Sequence, residues 1–503
     1  MAKGTARLPV LFLIAYVLTA GQTPLTPQIQ AVLDHVSADS LRGHLSFIAS
    51  DLLEGRGTPS RGLDLAAEYI AAQFRGAGLE PAGDDGYYQT AEMIEVEPPK
   101  SGFAMTISDG ERVIPVKSEE VTPRFRTPLE IMGAGIYKLD GHDESAMKNL
   151  RPQDVSGRVV VTELPDFSGA IASNAVHRFG ALLNAIERAK PLLTLMLSRD
   201  GIAELNTRLV MAEEGKSAER LRMVVRNSEV IQWYESLRPG PAQASLTLHL
   251  PEPLETRVKI RNVIGLLRGS DPALKDTYVL LTAHYDHLGM RPDGPGERVF
   301  NGANDDGSGT VSVIELASAL ATLQPRPKRS IVFMTFFGEE EGTLGSRYYA
   351  DHPVFPIEKT VADVNLEQVG RTDAIDGEKL SQGTFTGADY SDLPGVFRKA
   401  GARTGVRVLN DKENGGSFFA RSDNLPFAEK GIPAHTVAVT FEFSDYHQTG
   451  DKWQKIDYGN MAKVDRMVAL GLIMLADNPR APRWDESVPQ TEKYVEAWKE
   501  RHR

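Results

Sequence analysis

The sequence predicts an α/β protein with a mixed, largely parallel central sheet flanked by helices, and with a smaller α+β domain inserted into it. Three observations lead to this prediction. Apolar runs typical of buried strands alternate with helical patterns in the C-terminal half. Histidines or carboxylates follow those runs. The stretch 97–254 instead has short strand-like runs and no cluster of His, Asp and Glu at ligand spacing. Strands that alternate with helices are typical of sheets with parallel members.

Length and composition limit the possible functions. The chain has 503 residues, enough for two or three domains and a large buried core. Its formal net charge of -12 argues against nucleic acid as a partner, because phosphate binding requires a basic face. The chain has no cysteine, which excludes disulfides and cysteine-bound zinc, so any zinc site must use His, Asp and Glu.

Residues 1–21 are typical of a secretory signal peptide. Lys3 and Arg7 precede the apolar run Leu8–Ala20, and small or polar residues follow it. The run is shorter than the roughly 20 residues that a membrane span needs. We therefore expect an exported protein, periplasmic or extracellular, without a stable membrane partner after cleavage; an uncleaved anchor is the alternative.

Patterning along the chain predicts a larger, discontinuous domain over 30–96 and 255–478. Its first part is helical, with apolar residues at three- to four-residue spacing. Between 97 and 254 the chain has short strand-like runs such as Arg158–Leu164 and a helical run at Ala181–Ala189, but no cluster of His, Asp and Glu at ligand spacing. We predict an inserted domain there, and a polar, peripheral tail over 479–503.

The second part of the larger domain contains the buried-strand candidates. They are Tyr278–Ala283, Ile331–Phe337, Val361–Leu366 and Thr436–Phe441. Helices are predicted at Gly309–Leu323 and Met461–Leu475, so that strand and helix alternate.

Potential metal ligands follow these strand candidates. In chain order they are His284, Asp286 and His287, then Asp305 and Asp306, then Glu339, Glu340 and Glu341, then Glu367 and finally His447. Each group alone has an ordinary explanation: a core pair, a helix cap or a solvated face. Together they would meet at the carboxyl edge of the sheet, where such folds bind ligands. So many carboxylates repel one another unless cations are present, and this mixture of donors suits zinc.

Five motifs, AHYDHLG, NGANDDGSG, FFGEEEGTLGS, NLEQVG and YHQTGD, resemble those of the co-catalytic di-zinc exopeptidase family. This family includes bacterial zinc aminopeptidases and glutamate carboxypeptidase-like proteins. The resemblance extends to LSFIASDLLEGRGTPSRG and RSDNLPFAEKGIPA, and covers roughly 35–95 and 255–478. It implies a three-layer, zinc aminopeptidase-like fold, and it puts the insert where many relatives carry a protease-associated domain.

The resemblance also implies a role for individual residues. Two Zn²⁺ per chain would be held by His284, Asp305, Glu340, Glu367 and His447, with Asp305 as the bridging ligand. Asp286 resembles the carboxylate that orients His284. Glu339 resembles the general base, and Tyr446 resembles a tyrosine that supports the oxyanion, although simple packing is its alternative. Glu367 stands where the family usually has Asp.

These roles lead us to expect a zinc-dependent exopeptidase acting on peptides, and specifically an aminopeptidase. A carboxypeptidase or dipeptidase on the same scaffold is the alternative. Arg421 and Asp423 lie in one loop and support either, because Asp423 could receive an ammonium and Arg421 a carboxylate. A glutaminyl-cyclase-like enzyme or a non-catalytic binding protein fits the complete ligand set less well, and the oligomeric state is left open.

Overall fold

The structure, a computed structural model, describes residues 25–97, 99, 101–164, 172–199, 208–212, 221–291, 296–410 and 418–502. The predicted signal peptide, residues 1–21, lies outside these ranges. No helix in the described part of the chain combines the length and the apolar character needed to cross a bilayer.

The helices in these ranges are distributed over the whole chain. They are α1 Pro27–His35, α2 Ala38–Ile48, α3 Arg61–Gly76, α4 Glu144–Asn149, α5 Pro152–Val155, α6 Ala172–Ala189, α7 Ser228–Ser236, α8 Gly309–Ala321, α9 Leu344–Asp351, α10 Leu393–Thr404, α11 Asn424–Glu429, α12 Tyr458–Asp477 and α13 Glu492–Arg501. Side-chain caps fix several of their starts: Ser60, for example, accepts a hydrogen bond from the N–H of Leu63 at the start of α3.

Within the described ranges, the strands form two large sheets and one small hairpin. They are β1 Glu80–Pro81, β2 Tyr88–Glu97, β3 Ala104–Ser108, β4 Val113–Val116, β5 Val121–Pro123, β6 Leu129–Lys138, β7 Val159–Glu163, β8 Leu193–Leu197, β9 Arg208–Met211, β10 Arg222–Val225, β11 Gly240–Leu250, β12 Leu254–Leu267, β13 Tyr278–His284, β14 Ser330–Phe336, β15 Thr360–Leu366, β16 Asp373–Ala374, β17 Gly377–Glu378, β18 Gln382–Phe385, β19 Arg407–Leu409 and β20 Ala434–Ala438.

The larger sheet has the order β19-β18-β20-β15-β13-β14-β12-β2-β9, with β1 paired to β12. Its central neighbours β20, β15, β13 and β14 run parallel, whereas β12 and β2 are antiparallel to their neighbours. This confirms the predicted α/β fold with a mixed sheet. Because the four central strands are parallel, their carboxyl ends lie along one edge.

Both faces of the larger sheet are covered. Val279, Leu281 and Ala283 of β13 belong to a hydrophobic cluster shared with α3, α8 and α12. Leu280, which points the other way because side chains alternate along a strand, packs in a second cluster with residues of α11 and α13. Burial on both faces explains why these strands appear in the sequence as continuous apolar runs.

The smaller sheet takes all its strands from 104–250, in the order β4-β3-β11-β6-β7-β8-β10-β5, and has its own hydrophobic cluster. One strand of the same stretch, β9, instead pairs with β2 in the larger sheet. The segment predicted as an insert therefore contacts the larger sheet through a strand pairing.

Two expectations need correction. The last strand of the parallel group is Ala434–Ala438 rather than Thr436–Phe441, so a loop separates it from His447. The tail is not peripheral: Trp484 and Tyr494 are buried, and their rings stack at a centroid distance of 5.0 Å. These aromatic side chains cover one face of the larger sheet through α11, which makes the tail part of the fold.

Candidate metal centre

The predicted ligands meet at the carboxyl edge of the larger sheet. His284 ends β13, Glu367 follows β15 directly, and Asp305 lies in the irregular turn Ala303–Ser308 that leads into α8. Ligand atoms of His284, Asp305 and Glu367 all lie within 4.8 Å of one another. This first group can hold one metal ion, and the distance from His284 Nε2 to Asp305 Oδ1 is 3.4 Å.

A second group lies on the other side of Asp305. His447 Nε2 is 3.1 Å from Asp305 Oδ2 and 3.3 Å from Glu340 Oε2. Asp305 thus offers one oxygen to each group, the arrangement expected of a bridging ligand. His287 also lies here: its ligand atom forms a group with those of Asp305 and Glu340.

Distances and missing partners show that these residues suit zinc. Two donors about 2.0–2.2 Å from one tetrahedral zinc ion lie roughly 3.3–3.5 Å apart, close to the separations of His284 and His447 from the Asp305 oxygens. Both ring nitrogens of His284 and Glu340 Oε1 are buried without a hydrogen-bond partner. Buried polar atoms normally have partners, and a metal ion would supply them.

Asp286 connects the two groups. Its Oδ1 lies 3.5 Å from His284 Nδ1 and accepts a hydrogen bond of 3.1 Å from the backbone N–H of Glu339, while its Oδ2 accepts one of 3.4 Å from that of Glu340. The carboxylate is fully buried. The residue predicted to orient His284 therefore also holds the turn that carries Glu339 and Glu340.

Charges in the cluster perturb one another strongly. Burial would raise the pKa of Asp305, but contacts with His284 and His447 outweigh it and hold that pKa well below its ordinary value. Burial would also raise the pKa of Glu340, but the charges of His447 and His287 outweigh it and lower that pKa. Burial and the charges of Glu367 and Glu340 hold the pKa of Glu339 well above its usual range.

The turn that carries Asp305 is fixed by two further carboxylates. Asp451 accepts hydrogen bonds from the N–H groups of Asn304 and Asp305, at 2.9 to 3.1 Å. Asp306 accepts from the N–H groups of Gly309 and Gln368, which joins the start of α8 to the end of β15. The peptide bond between Asp305 and Asp306 is cis.

A buried arginine lies behind the cluster. The Arg56 guanidinium donates to the carbonyl oxygens of Ile48, Tyr285, Asn301 and Gly302, at 2.7 to 2.9 Å. Burial lowers its pKa to about 10, while Asp286 and Asp306 act in the opposite direction, so the side chain stays charged at neutral pH. Arg56 therefore joins the two ligand loops and places a cation beside their carboxylates.

A narrow cleft opens onto the metal ligands. Its lining includes Glu339 and Tyr446, the predicted catalytic residues, and Arg421. The Tyr446 ring stacks on that of His447 at a centroid distance of 4.0 Å, and burial raises the pKa of its hydroxyl, which therefore stays protonated. Arg421 lies over the Phe418 ring, which stacks on Phe441.

Asp423 does not line this cleft, contrary to its predicted role in substrate binding. The side chain is fully buried, and its Oδ1 accepts a hydrogen bond of 2.5 Å from Ser346 Oγ. Burial raises its pKa to about 7. A carboxylate in this position supports the framework beneath the site and cannot reach a substrate ammonium.

The sequence analysis named His287 only as a potential ligand without an individual role, and it did not single out Asp451 or Arg56. Each lies within a motif that carries the family resemblance. Their functions depend on contacts with residues far away in the sequence, such as the bond from Arg56 Nε to Tyr285 O, 229 positions apart. Their positions within these motifs were the one indication in the sequence that they matter, and the structure shows which residues they contact.

Solved structures support the fold. An aminopeptidase from Aneurinibacillus sp. strain AM-1 superposes with a TM-score of 0.56, at 17% identity, over 92% of this chain and 97% of the other. A zinc aminopeptidase from Bacillus subtilis gives 0.55, at 18% identity, over 92% and 98%. At these identities the likeness shows a shared fold.

Sequence relatives cover part of the chain. A probable zinc metalloprotease of Pyrenophora tritici-repentis (strain Pt-1C-BFP) is 37% identical over 45% of this chain and 59% of its own length. Aminopeptidase YwaD of Bacillus subtilis (strain 168) is 33% identical over 34% of each chain. The chain spans between 34% and 59% of the length of the curated relatives it matches first.

The profile of peptidase family M28 matches residues 262–471, which contain all five predicted metal ligands together with Glu339 and Tyr446. Zinc metalloproteases and aminopeptidases among the relatives agree with this match. The resemblance predicted from the motifs is thereby confirmed: residues 262–471 match peptidase family M28.

Proposed function

We propose that the chain is a zinc-dependent aminopeptidase that removes N-terminal residues from peptides and carries two Zn²⁺. The observation that carries the proposal is the meeting of His284, Asp305, Glu340, Glu367 and His447 around one cleft, with Glu339 in its lining. The names of similar proteins support the same activity.

The donor set suits two ions that share Asp305. His284 and Glu367 would hold the first, and Glu340 and His447 the second. Three carboxylates and two neutral histidines leave a pair of Zn²⁺ with one net positive charge, which an added hydroxide would neutralise. When bound, zinc ions polarise a scissile carbonyl and lower the pKa of water.

Side chains of the cleft supply the remaining chemistry. Glu339 lies next to Glu340 in the lining but is not part of either ligand group, so its carboxylate is free to take a proton from water and pass it to the leaving amine. Tyr446, protonated and stacked on His447, can donate a hydrogen bond to the developing oxyanion.

One observation favours a second activity, cleavage of dipeptides or of residues at a free C-terminus. Arg421 lines the cleft, and its guanidinium suits a substrate carboxylate. Asp423, the carboxylate proposed for a substrate ammonium, is buried outside the lining. In an aminopeptidase the ammonium would have to use another acidic group of the cleft, such as Glu367.

A peptide panel distinguishes these activities. The zinc-loaded full chain is incubated with one peptide in free, N-acetylated and C-amidated forms, beside the Glu339→Gln variant as the inactive control. We expect cleavage of the free and C-amidated forms and none of the N-acetylated form. Cleavage of the N-acetylated but not the C-amidated form would show a carboxypeptidase. Cleavage of the free form alone would show a dipeptidase.

We also propose that the protein is exported to the periplasm or the exterior after loss of residues 1–21. The basic start and the short apolar run support this. N-terminal sequencing of the protein from its source tests it: a mature chain beginning shortly after residue 21 is expected. A full-length chain in the cytoplasm would contradict it.

The finer domain arrangement is a further part of the proposal: a three-layer peptidase domain over 30–96 and 255–478, with an inserted, protease-associated-like domain over 97–254. The separate hydrophobic cluster of the smaller sheet supports it. Hydrogen exchange tests it, because separate domains open independently. Loss of protection in both sheets in a single step would argue for one cooperative unit.

A further inference from the structure

His287 lies three residues after the first ligand and is 1% exposed. Its Nδ1 is 2.7 Å from Glu340 Oε1, and its ring is 5.7 Å from that of His447, at 75°. Its ligand atom lies within 4.8 Å of those of Asp305 and Glu340. None of the five-ligand roles inferred from the sequence includes it.

The backbone fixes this ring in position. The His287 N–H donates to Arg56 O at 3.1 Å. Gly302 has a φ of 55°, and a side chain there would collide with the imidazole. Glycine at this position therefore leaves space for the ring against the turn that carries Asp305.

Neither ring nitrogen of His287 has a hydrogen-bond partner, although both are buried, and the facing Glu340 Oε1 also lacks one. The 2.7 Å separation is therefore a close approach whose direction does not suit a hydrogen bond. A shared zinc ion would move these two atoms apart by roughly 0.6–0.8 Å, to the spacing of two donors in a tetrahedral site. An imidazole with no other partner, enclosed between two carboxylates, is typical of a metal ligand.

We propose that His287 is a further ligand of the second metal, beside Asp305, Glu340 and His447. The inference rests on the proposed function, because it requires the two ions. It makes the positions unequal: the second has four protein ligands, and the first has His284, Asp305 and Glu367. Zinc with four protein ligands is typical of closed sites, whereas catalytic zinc with three keeps a place for water or substrate. The first position is therefore the one that meets the substrate carbonyl.

Zinc X-ray absorption on the loaded wild-type chain tests this without any substitution. We expect scattering from three imidazoles for two zinc ions, contributed by His284, His287 and His447. Two imidazoles for two ions would overturn the proposal and leave His287 as a neighbour that orients Glu340. A wild-type chain that binds no zinc would instead refute the proposed function.

Metal titration of His287→Ala gives a second measurement. We expect the first ion to remain and the second to bind more than about a hundredfold more weakly, beyond the ten- to hundredfold usual for groups outside the ligand shell. His435→Asn is the matched control, because His435 is equally buried but bonds to Ser391 and to Thr386 O. The His435→Asn variant should bind both ions as the wild type does. Wild-type affinity for the second ion in His287→Ala would also overturn the proposal. If His287→Ala does not fold, the imidazole count alone decides.

Discussion

The two candidate metal positions share Asp305 but differ in how the chain builds them. His284 and Glu367 of the first position belong to or directly follow strands β13 and β15 of the parallel sheet, and the His284 side chain is 1% exposed. Glu340 and His447 of the second lie on loops, and the His447 side chain is 29% exposed. A ligand at a buried strand end is held by the sheet, whereas a ligand on an exposed loop can move away. We therefore expect the second ion to exchange more readily than the first once His287, its buried fourth ligand, is removed.

The largest effect is expected for Glu339→Gln, which should separate chemistry from metal binding at both positions. Gln keeps the size of Glu but cannot accept a proton, so the turnover rate should fall by at least about 10²- to 10⁴-fold. Both ions should remain. Peptidase rate and metal content are measured on the same preparation, and loss of zinc from this variant would show that Glu339 is a ligand.

Glu340→Gln should affect the second position alone. Its carboxylate faces His447 and His287, so a neutral amide should weaken the second ion by at least about a hundredfold, more than a change outside the ligand shell would. The first ion should keep its affinity. Competitive chelator titration measures the two affinities separately, and equal weakening at both positions would contradict the comparison.

Asp286→Asn should weaken both positions, because one carboxylate faces His284 and also accepts the N–H groups of Glu339 and Glu340. We expect a loss of about ten- to a hundredfold in metal affinity or activity. An asparagine offers one acceptor oxygen, and its amide N–H would face other donors. An effect limited to the first ion would show that the bonds to Glu339 and Glu340 contribute little.

The smallest effect is expected for Glu367→Asp, which replaces the residue of this chain with the one usual in the family. Asp is one methylene shorter, but it keeps a carboxylate directly after β15, where the resemblance places an aspartate ligand. We expect the first ion to bind within about tenfold of wild type, a difference of at most about 1.4 kcal/mol. The second ion serves as the internal control, and a loss above a hundredfold would show that the longer side chain is required.

Much of the sheet and of the ligand set could be predicted from the sequence because both depend on local patterns. Continuous apolar runs identified β13, β14 and β15 to within a residue or two, and the ligands come directly after those strands or open the next helix. The last strand was predicted at Thr436–Phe441 but lies at Ala434–Ala438. The backbone N–H groups of Val439 and Thr440 donate to Gln368 O, which ends the strand pairing. Apolar character alone does not show where strand pairing stops.

The remaining features could not be predicted because they are contacts between distant segments. Arg421 and Asp423 lie in one polar loop, yet only Arg421 lines the cleft. Asp423 is buried, where it accepts a hydrogen bond from Ser346 of α9. Trp484 and Tyr494 lie in a stretch rich in charged residues, and their burial depends on a helix surface more than fifty residues earlier in the chain. Neither the burial of Asp423 nor that of these two aromatic residues produces a periodic pattern in the sequence.

Arg56 determines which parts of this protein could be produced separately. The segment 262–471 contains every predicted metal ligand, but it does not contain this arginine. Expressed alone, that segment would leave the carbonyls of Tyr285, Asn301 and Gly302 without their shared donor, and a crowded acidic cluster without its buried cation. Unpartnered buried carbonyls and repelling carboxylates both destabilise a fold. The minimal expressible unit must therefore begin upstream of Arg56, and a protease cut between Arg56 and the ligand loops would be tolerated only while the two pieces stay associated.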